Sequence, residues 1–245
     1  MDIAALERAT LAAVPPQRQE TWREWLLAFD DGTVGRCHSA VPLRHAAPSP
    51  GSLAHIASRY GQAGLATVLR IPERPEFDGF REELQGHGYE RSKPTAVMVG
   101  KVPASPSPAG IRVQLSDAPA PEWEDVFLGE GFDPVDGASR LAILRRGRDS
   151  VFATVREGVR VVAVGAACLP GAWCGVHGMR TLPAFRNRGH ASAILAAFAD
   201  VAHSRGVARW FLQVDQENAP ARRLYERCGF RRAWTYAYWR GDRAA

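Results

Sequence analysis

Arg186-Asn187-Arg188-Gly189-His190-Ala191 lies between an apolar run ending near Leu182 and a helical pattern that continues to about Arg205. A strand, a tight turn and then a helix start is the context in which backbone N–H groups are left without intrahelical partners at the positive end of the helix dipole. A diphosphate placed there meets donors and a favourable field. Gly189 and Ala191 matter for their lack of bulk, because a larger side chain would hold an anion away from those groups, and Arg186 and Arg188 add forked, charged donors beside them. The stretch predicts a phosphate cradle.

A second segment sharpens this. Asn218-Ala219-Pro220-Ala221-Arg222-Arg223-Leu224-Tyr225-Glu226-Arg227-Cys228-Gly229-Phe230 reads as a short helix with Asn218 as its N-cap, Pro220 in its first turn and Gly229 as its stop. Together the two segments resemble the GNAT superfamily of acyl-CoA-dependent N-acetyltransferases. Its signature is Gln/Arg-x-x-Gly-x-Gly/Ala followed by an Asn-x-x-Ala-x-x-Leu-Tyr-x-x-x-Gly-Phe helix. The resemblance extends from about Ile111 to Trp239 and implies acetyl-CoA as cosubstrate. Its pyrophosphate would lie on the backbone of Arg188, Gly189, His190, Ala191 and Ser192, flanked by Arg186 and Asn187. The pantetheine arm would run beside Met179, Arg180, Thr181 and Leu182, and Asn218, Ala221 and Tyr225 of the second motif would complete the site.

The order of elements fits. Ile111, Val113 and Leu115 alternate as a strand, and Glu122 to Gly131 and Pro134 to Arg146 read as two short helices. Two apolar strands follow around the Arg156-Glu157-Gly158 turn, then a strand from about Ala172 to Leu182. Next comes a helix with Ile194, Leu195, Phe198, Val201 and Ala202 on its apolar face, then a strand from Ala208 to Val214. After the Tyr225 helix, Phe230 to Trp239 supplies one or two closing strands.

The first hundred residues repeat this rhythm faintly. A shift of 141 positions carries Gly88-Tyr89 onto Gly229-Phe230 and Pro42 onto Pro183. It also carries the apolar run from Thr67 to Ile71 onto Ala208 to Leu212, and the helical stretch from Ser52 to Gln62 onto Ala193 to His203. The cradle, however, falls on His45-Ala46-Ala47-Pro48-Ser49-Pro50, where the prolines lack N–H groups. The expectation is a tandem α/β fold, with a mostly antiparallel sheet flanked by helices in each half. Residues 1–102 would form a degenerate GNAT-like half, 103–108 a Pro-rich linker and 109–245 the catalytic half.

Acetyl transfer needs a proton to leave the amine, donors for the tetrahedral oxyanion, and an acid for the departing thiolate. The resemblance sets a backbone N–H of the Met179 to Leu182 strand against the thioester carbonyl. Tyr225 is the candidate acid, although a Leu-Tyr pair on a short helix can also simply fill space beside a sheet. His177 is the candidate base, at even spacing from Met179 and Thr181 and therefore expected on their face of the sheet. Glu130 and Asp133, between the two short helices, are alternative bases or amine anchors. Asp215-Gln216-Glu217 or a chain of waters could also carry the proton.

Composition bounds the rest. The 245 residues, 46% of them apolar, suit a globular enzyme with one large core or two modest ones. No apolar run reaches the ~18 residues of a membrane span, and the acidic start at Asp2 and Glu7 does not read as a signal peptide. Cys37, Cys168, Cys174 and Cys228 form no CxxC pair and read as reduced, packed thiols in a cytoplasmic protein. The net charge of +5 suits an anionic ligand. Only Lys93 and Lys101 are lysines, as a GC-rich bacterial gene would encode. The arginines are scattered, so nucleic acid is not the expected partner, and neither metal-binding spacing nor a nucleophile elbow is present. Two other readings of the same residues are a non-catalytic acyl-CoA-binding protein and an Arg-rich nucleic-acid or protein-binding module. Neither the acceptor nor the oligomeric state is written in the sequence.

Overall fold

In the computed structural model, which describes residues 1–104, 110–129 and 133–241, the first half contributes three helices and five strands. They are α1 (Ile3–Ala13), β1 (Arg18–Trp22), β2 (Trp25–Phe29), β3 (Ala40–Pro42), α2 (Ser52–Gln62), β4 (Val68–Pro72), α3 (Asp78–Gly86) and β5 (Glu90–Lys101). The second half gives β6 (Val113–Ser116), α4 (Pro121–Leu128), α5 (Pro134–Arg146), β7 (Ser150–Glu157), β8 (Arg160–Cys168), β9 (Trp173–Thr181), α6 (His190–Ser204), β10 (Arg209–Asp215), α7 (Ala219–Arg227) and β11 (Arg231–Arg240). This is the order the sequence predicts, with Phe230 to Trp239 resolved as one closing strand. Glu130 lies outside the described residues.

Local chemistry sets the helix ends. Asp2, Asp133 and Asn218 each accept a backbone N–H from the third residue on, capping α1, α5 and α7. Pro134 and Pro220 sit in first turns, where a missing N–H costs nothing. Gly129 ends α4 with φ +54°, a backbone conformation that favours glycine.

The strands do not close into one sheet per half. All eleven join a single mixed sheet, in the order β1-β2-β3-β4-β11-β5-β10-β9-β8-β7-β6. The last strand of each half has crossed into the other: β11 pairs with β4 and β5, and β5 pairs with β11 and β10. Among the described residues only β3 with β4 and β9 with β10 run parallel.

Alternation along these strands divides the core between two faces. Ile194, Phe198, Ala199 and Ala202 of α6 pack with Met98, Val162, Trp210 and Leu212 into the largest cluster. On the opposite face, α4 covers Val164 and Ala166, and α1 sets Leu6 and Ala9 against Trp173, Phe211 and Trp234. Phe198 is fully buried, and such a side chain stabilises the fold by roughly 1.5–3 kcal/mol. A second large cluster, built on Trp25, Ile56, Phe77 and Trp239, closes α2 and α3 over β2, β4 and the end of β11.

The halves also meet through α5. Arg146 pairs with Asp30 at 2.6 Å, the Ser139 hydroxyl accepts the Thr33 N–H at 2.9 Å, and Ile143 packs with Val14, Val34 and Cys37. The fold therefore ties the wall carrying α5 to the first half. All four cysteines are unpaired, and Cys37, Cys168 and Cys174 are buried. Among the described residues no helix is long and apolar enough to cross a membrane.

Candidate active site

Two parallel strands part to make the site. β9 and β10 pair from Trp173 and Arg209 as far as Val176 and Leu212, and beyond that β9 continues to Thr181 with no partner on that side. Its other edge stays paired with β8, where Leu182 N–H donates to the Val162 carbonyl at 2.9 Å. Antiparallel alternation then turns Arg180 N–H toward β8 as well and leaves that of Thr181 facing the gap. Leu182, expected to offer a donor to the ligand, has already used it.

A bulge reorients the candidate base. His177 lies opposite Ala166 and Arg180 opposite Val164, so three steps on β9 match two on β8, and Gly178 supplies the turn with φ +62°. The sequence spacing predicts one face for His177, Met179 and Thr181, and the extra residue cancels it. His177 shares the face of Ala166, covered by α4, whereas Thr181 lies opposite Ala163 in the α6 cluster. Met179 also faces α6: a Cβ on Gly165 would come within 2.5 Å of its sulfur. Arg180 turns back toward α4 and donates to the carbonyls of Phe127 and Leu128.

The loop after β9 enters α6 through two left-handed residues, Asn187 (φ +62°) and Gly189 (φ +85°). Gly189 is the N-cap, and no side chain caps α6, so its first-turn N–H groups face outward unclaimed by a side-chain acceptor. With Met179, Thr181, Arg186, Asn218, Ala221 and Tyr225 they line a cleft of about 660 Å³. His190, Ala191 and Ser192 border it too. Arg188 does not behave as expected. Its guanidinium pairs with Glu157 at 3.0 Å, donates to the Ala184 carbonyl and lies over the Phe185 ring, outside the cleft. Glu157 also holds His190 Nε2 at 2.8 Å, so one carboxylate straps both residues of the turn. Neither this strap nor Arg227, which lines the cleft, carries a sequence signal; Glu157 sits in an ordinary strand turn.

Tyr225 stands where this cleft meets a smaller one of about 350 Å³, bordered by His177, Gln213 and Asp215. The ring is buried, packed edge-on to Phe230 at 5.9 Å between centroids. Burial, with a smaller contribution from Cys228, pushes its phenol up to about 12, so it stays a proton donor across the neutral range. His177 is shifted the other way. Burial lowers it to about 3, Arg36 adds to the effect, and its Nδ1 sits 3.2 Å from the Gly175 carbonyl. That contact makes Nδ1 the protonated nitrogen and leaves Nε2 a lone pair, buried and without a partner among the described residues. Asp133 is committed to capping α5, its carboxylate accepting the Asp136 N–H at 2.8 Å. Asp215 accepts the Glu217 N–H at 2.8 Å at the edge of the smaller cleft.

An open helix start, a parted parallel pair and a buried tyrosine thus converge on one cleft. A family model described as probable histone acetyltransferase Rv0428c C-terminal matches residues 1–239. The chain belongs to this family. It is an acetyltransferase of the GNAT type. The uncharacterized N-acetyltransferase YobR of Bacillus subtilis is 23% identical over 235 residues, 94% of each chain. A GCN5-related N-acetyltransferase from Kribbella flavida superposes with TM-score 0.71 at 18% identity, covering 99% of this chain and 96% of its own. A tandem GNAT protein from the clavulanic acid biosynthesis pathway superposes with TM-score 0.61 at 15% identity, over 90% of this chain and 79% of its own. These similarities bear out the tandem GNAT fold.

The first GNAT-like half presents a different loop at the matching place. Gly51, with φ +77°, is the N-cap of α2, three residues beyond Pro48, the position that the shift of 141 sets against Gly189. Beside it the Glu24 carboxylate accepts the Ser49 N–H at 2.8 Å, and the Ser52 N–H and hydroxyl both donate to the Ser49 carbonyl. These bonds occupy Ser49, while α2, like α6, starts at a left-handed glycine with no side-chain cap.

Proposed function

We propose that the protein transfers an acetyl group from acetyl-CoA to a primary amine by direct attack in a ternary complex. In this reading residues 109–245 form the catalytic half, joined through the 103–108 linker to residues 1–102 as a degenerate GNAT-like half. The observation that carries it is the single cleft shared by the uncapped start of α6 and the buried hydroxyl-bearing ring of Tyr225.

The cleft fits the cosubstrate by chemistry. N–H groups of Gly189 to Ser192, with Arg186 beside them, would hold the diphosphate, and the edge of β9 at Met179 to Thr181 would pair with the amides of the pantetheine arm. An N–H on that edge would polarise the thioester carbonyl and hold the oxyanion as the amine adds. When the intermediate collapses, the C–S bond breaks and Tyr225 gives its proton to the thiolate. Asn218 fixes α7, and with it the aim of Tyr225, by accepting the Ala221 N–H.

On the acceptor side, His177 borders the smaller cleft, and a side-chain shift that opens its sealed Nε2 would let that nitrogen accept a hydrogen bond from the attacking amine. A group held near 3 retains a proton only in passing, so the amine must arrive unprotonated or pass its proton on through water. Glu130, by its place between the two acceptor-side helices in the sequence, remains the proposed anchor for a cationic amine. The four unpaired thiols support a reducing, cytoplasmic setting.

The test is CoA thiol release from acetyl-CoA across a panel of small amines, amino acids and basic peptides. Amine-dependent release by at least one member supports the reading. Tight acetyl-CoA binding with no release across the panel would instead favour a non-catalytic acyl-CoA-binding protein.

A further inference from the structure

The end of β9 opposite the cleft carries a charge arrangement that acetyl transfer does not use. Arg209 lies between Lys101 on β5 and Trp173 on β9, directly opposite each in register, and Arg231 lies opposite Val99, two residues from Lys101 on the same face. With Met1 and Gly229 these residues surround a depression of about 600 Å³. Lys101, Arg209 and Arg231 are all exposed, and none of them forms an ion pair with a described residue.

Like charges directly opposite one another destabilise a sheet, so folding alone gives no reason to set Lys101 against Arg209 with Arg231 beside them. The wall has a second feature. Trp173 is 3% exposed beneath the Arg209 guanidinium, which lies 4.6 Å from its ring, so an apolar wall backs the charged rim. Three cations with no ion-pair partner among the described residues and an apolar floor share one hollow.

We propose that this hollow is a second ligand site, for a small organic anion. Its carboxylate or phosphate would sit among Lys101, Arg209 and Arg231, and its apolar body would lie on Val99 and the edge of Trp173. The site is separate from the acetyl-CoA cleft. β9 starts at Trp173 in this hollow and ends at Thr181 in the cleft, a span of roughly 26 Å at the usual rise of a strand.

Calorimetry on the full chain with 1-naphthyl phosphate, in the presence of saturating CoA to fill the main cleft, tests this. One equivalent should bind. K101Q/R231Q should weaken binding by roughly tenfold or more, as loss of charge-assisted hydrogen bonds does. Neutral 1-naphthol should not bind. Both substituted side chains are exposed, and R231Q alone, with a smaller loss, serves if the double variant melts early. No heat from the wild type at millimolar probe, equal affinity in the substituted chains, or equal binding of 1-naphthol would each overturn the proposal. So would probe binding lost in G189E but kept in K101Q/R231Q, which would put the probe in the main cleft.

Discussion

The Glu24 carboxylate accepts a hydrogen bond from the Ser49 backbone N–H at 2.8 Å, beside the loop that leads into α2. Ser49 is the position that the shift of 141 sets against His190 at the start of α6. Burial alone would raise the Glu24 carboxyl, but its hydrogen bonds, chiefly from Ser49, more than offset that and hold it below the usual range. A group depressed on folding stabilises above its unfolded value, and loses that contribution as pH falls through the folded one. Glu24→Gln should therefore melt below wild type near neutrality, with the gap narrowing below about pH 4. A gap that persists undiminished at acid pH would contradict this role.

Because burial holds His177 near 3, its ring is neutral throughout the working range. Wild-type kcat/KM should rise with pH as the amine loses its proton, with no inflection near the ordinary histidine value of about 6.5. His177→Asn should lower the rate without changing the shape of that profile. An inflection near 6.5 that disappears in the variant would mean that His177 titrates as the base.

Tyr225→Phe removes one hydroxyl and keeps the ring packed against Phe230. If the phenol protonates the leaving thiolate, turnover should fall roughly tenfold to a thousandfold with acetyl-CoA affinity little changed. Since burial lifts the phenol to about 12, the wild type should show no alkaline loss of activity from this group below about pH 10. Full turnover in the Phe variant would remove Tyr225 from the acid role.

Arg70 and Glu7 form an ion pair at 2.9 Å with both side chains sealed from solvent, joining β4 to α1. Burial would lower the guanidinium, but the Glu7 carboxylate, with smaller contributions from Tyr236 and Tyr238, more than offsets this and raises it, so Arg70 stays charged. Glu7→Ala should destabilise the chain by about 3–5 kcal/mol in urea unfolding, because it strands a buried cation. Glu7→Leu combined with Arg70→Met should cost much less than the single change. Equal losses in both would argue against this account.

The Asn218 cap, the order of elements in the second half and the open start of α6 were legible because each depends on residues near in sequence: Asn218 with Ala221, Gly189 with the turn before it. Asp133, read as a candidate base or amine anchor, instead caps α5. What escaped depends on distant partners. The bulge at Gly178 is a mismatch between β9 and β8, and it moved His177 to the other face although its spacing from Met179 was read correctly. Arg188 looked like a phosphate ligand until Glu157, 31 positions away, claimed its guanidinium. The exchange of β5 and β11 between halves has no local signature, since each strand carries the same alternation whichever neighbour it meets.

The central claim is that acetyl-CoA sits on the backbone at the start of α6 and nowhere else in the chain. Titration calorimetry of the full-length protein with acetyl-CoA, for wild type and Gly189→Glu, tests it most directly. The wild type should bind a single equivalent. The variant, shown to be folded by its melting curve, should bind none, because its side chain brings bulk and negative charge to the N–H groups. Two equivalents on the wild type, or unchanged affinity in the folded variant, would contradict the account.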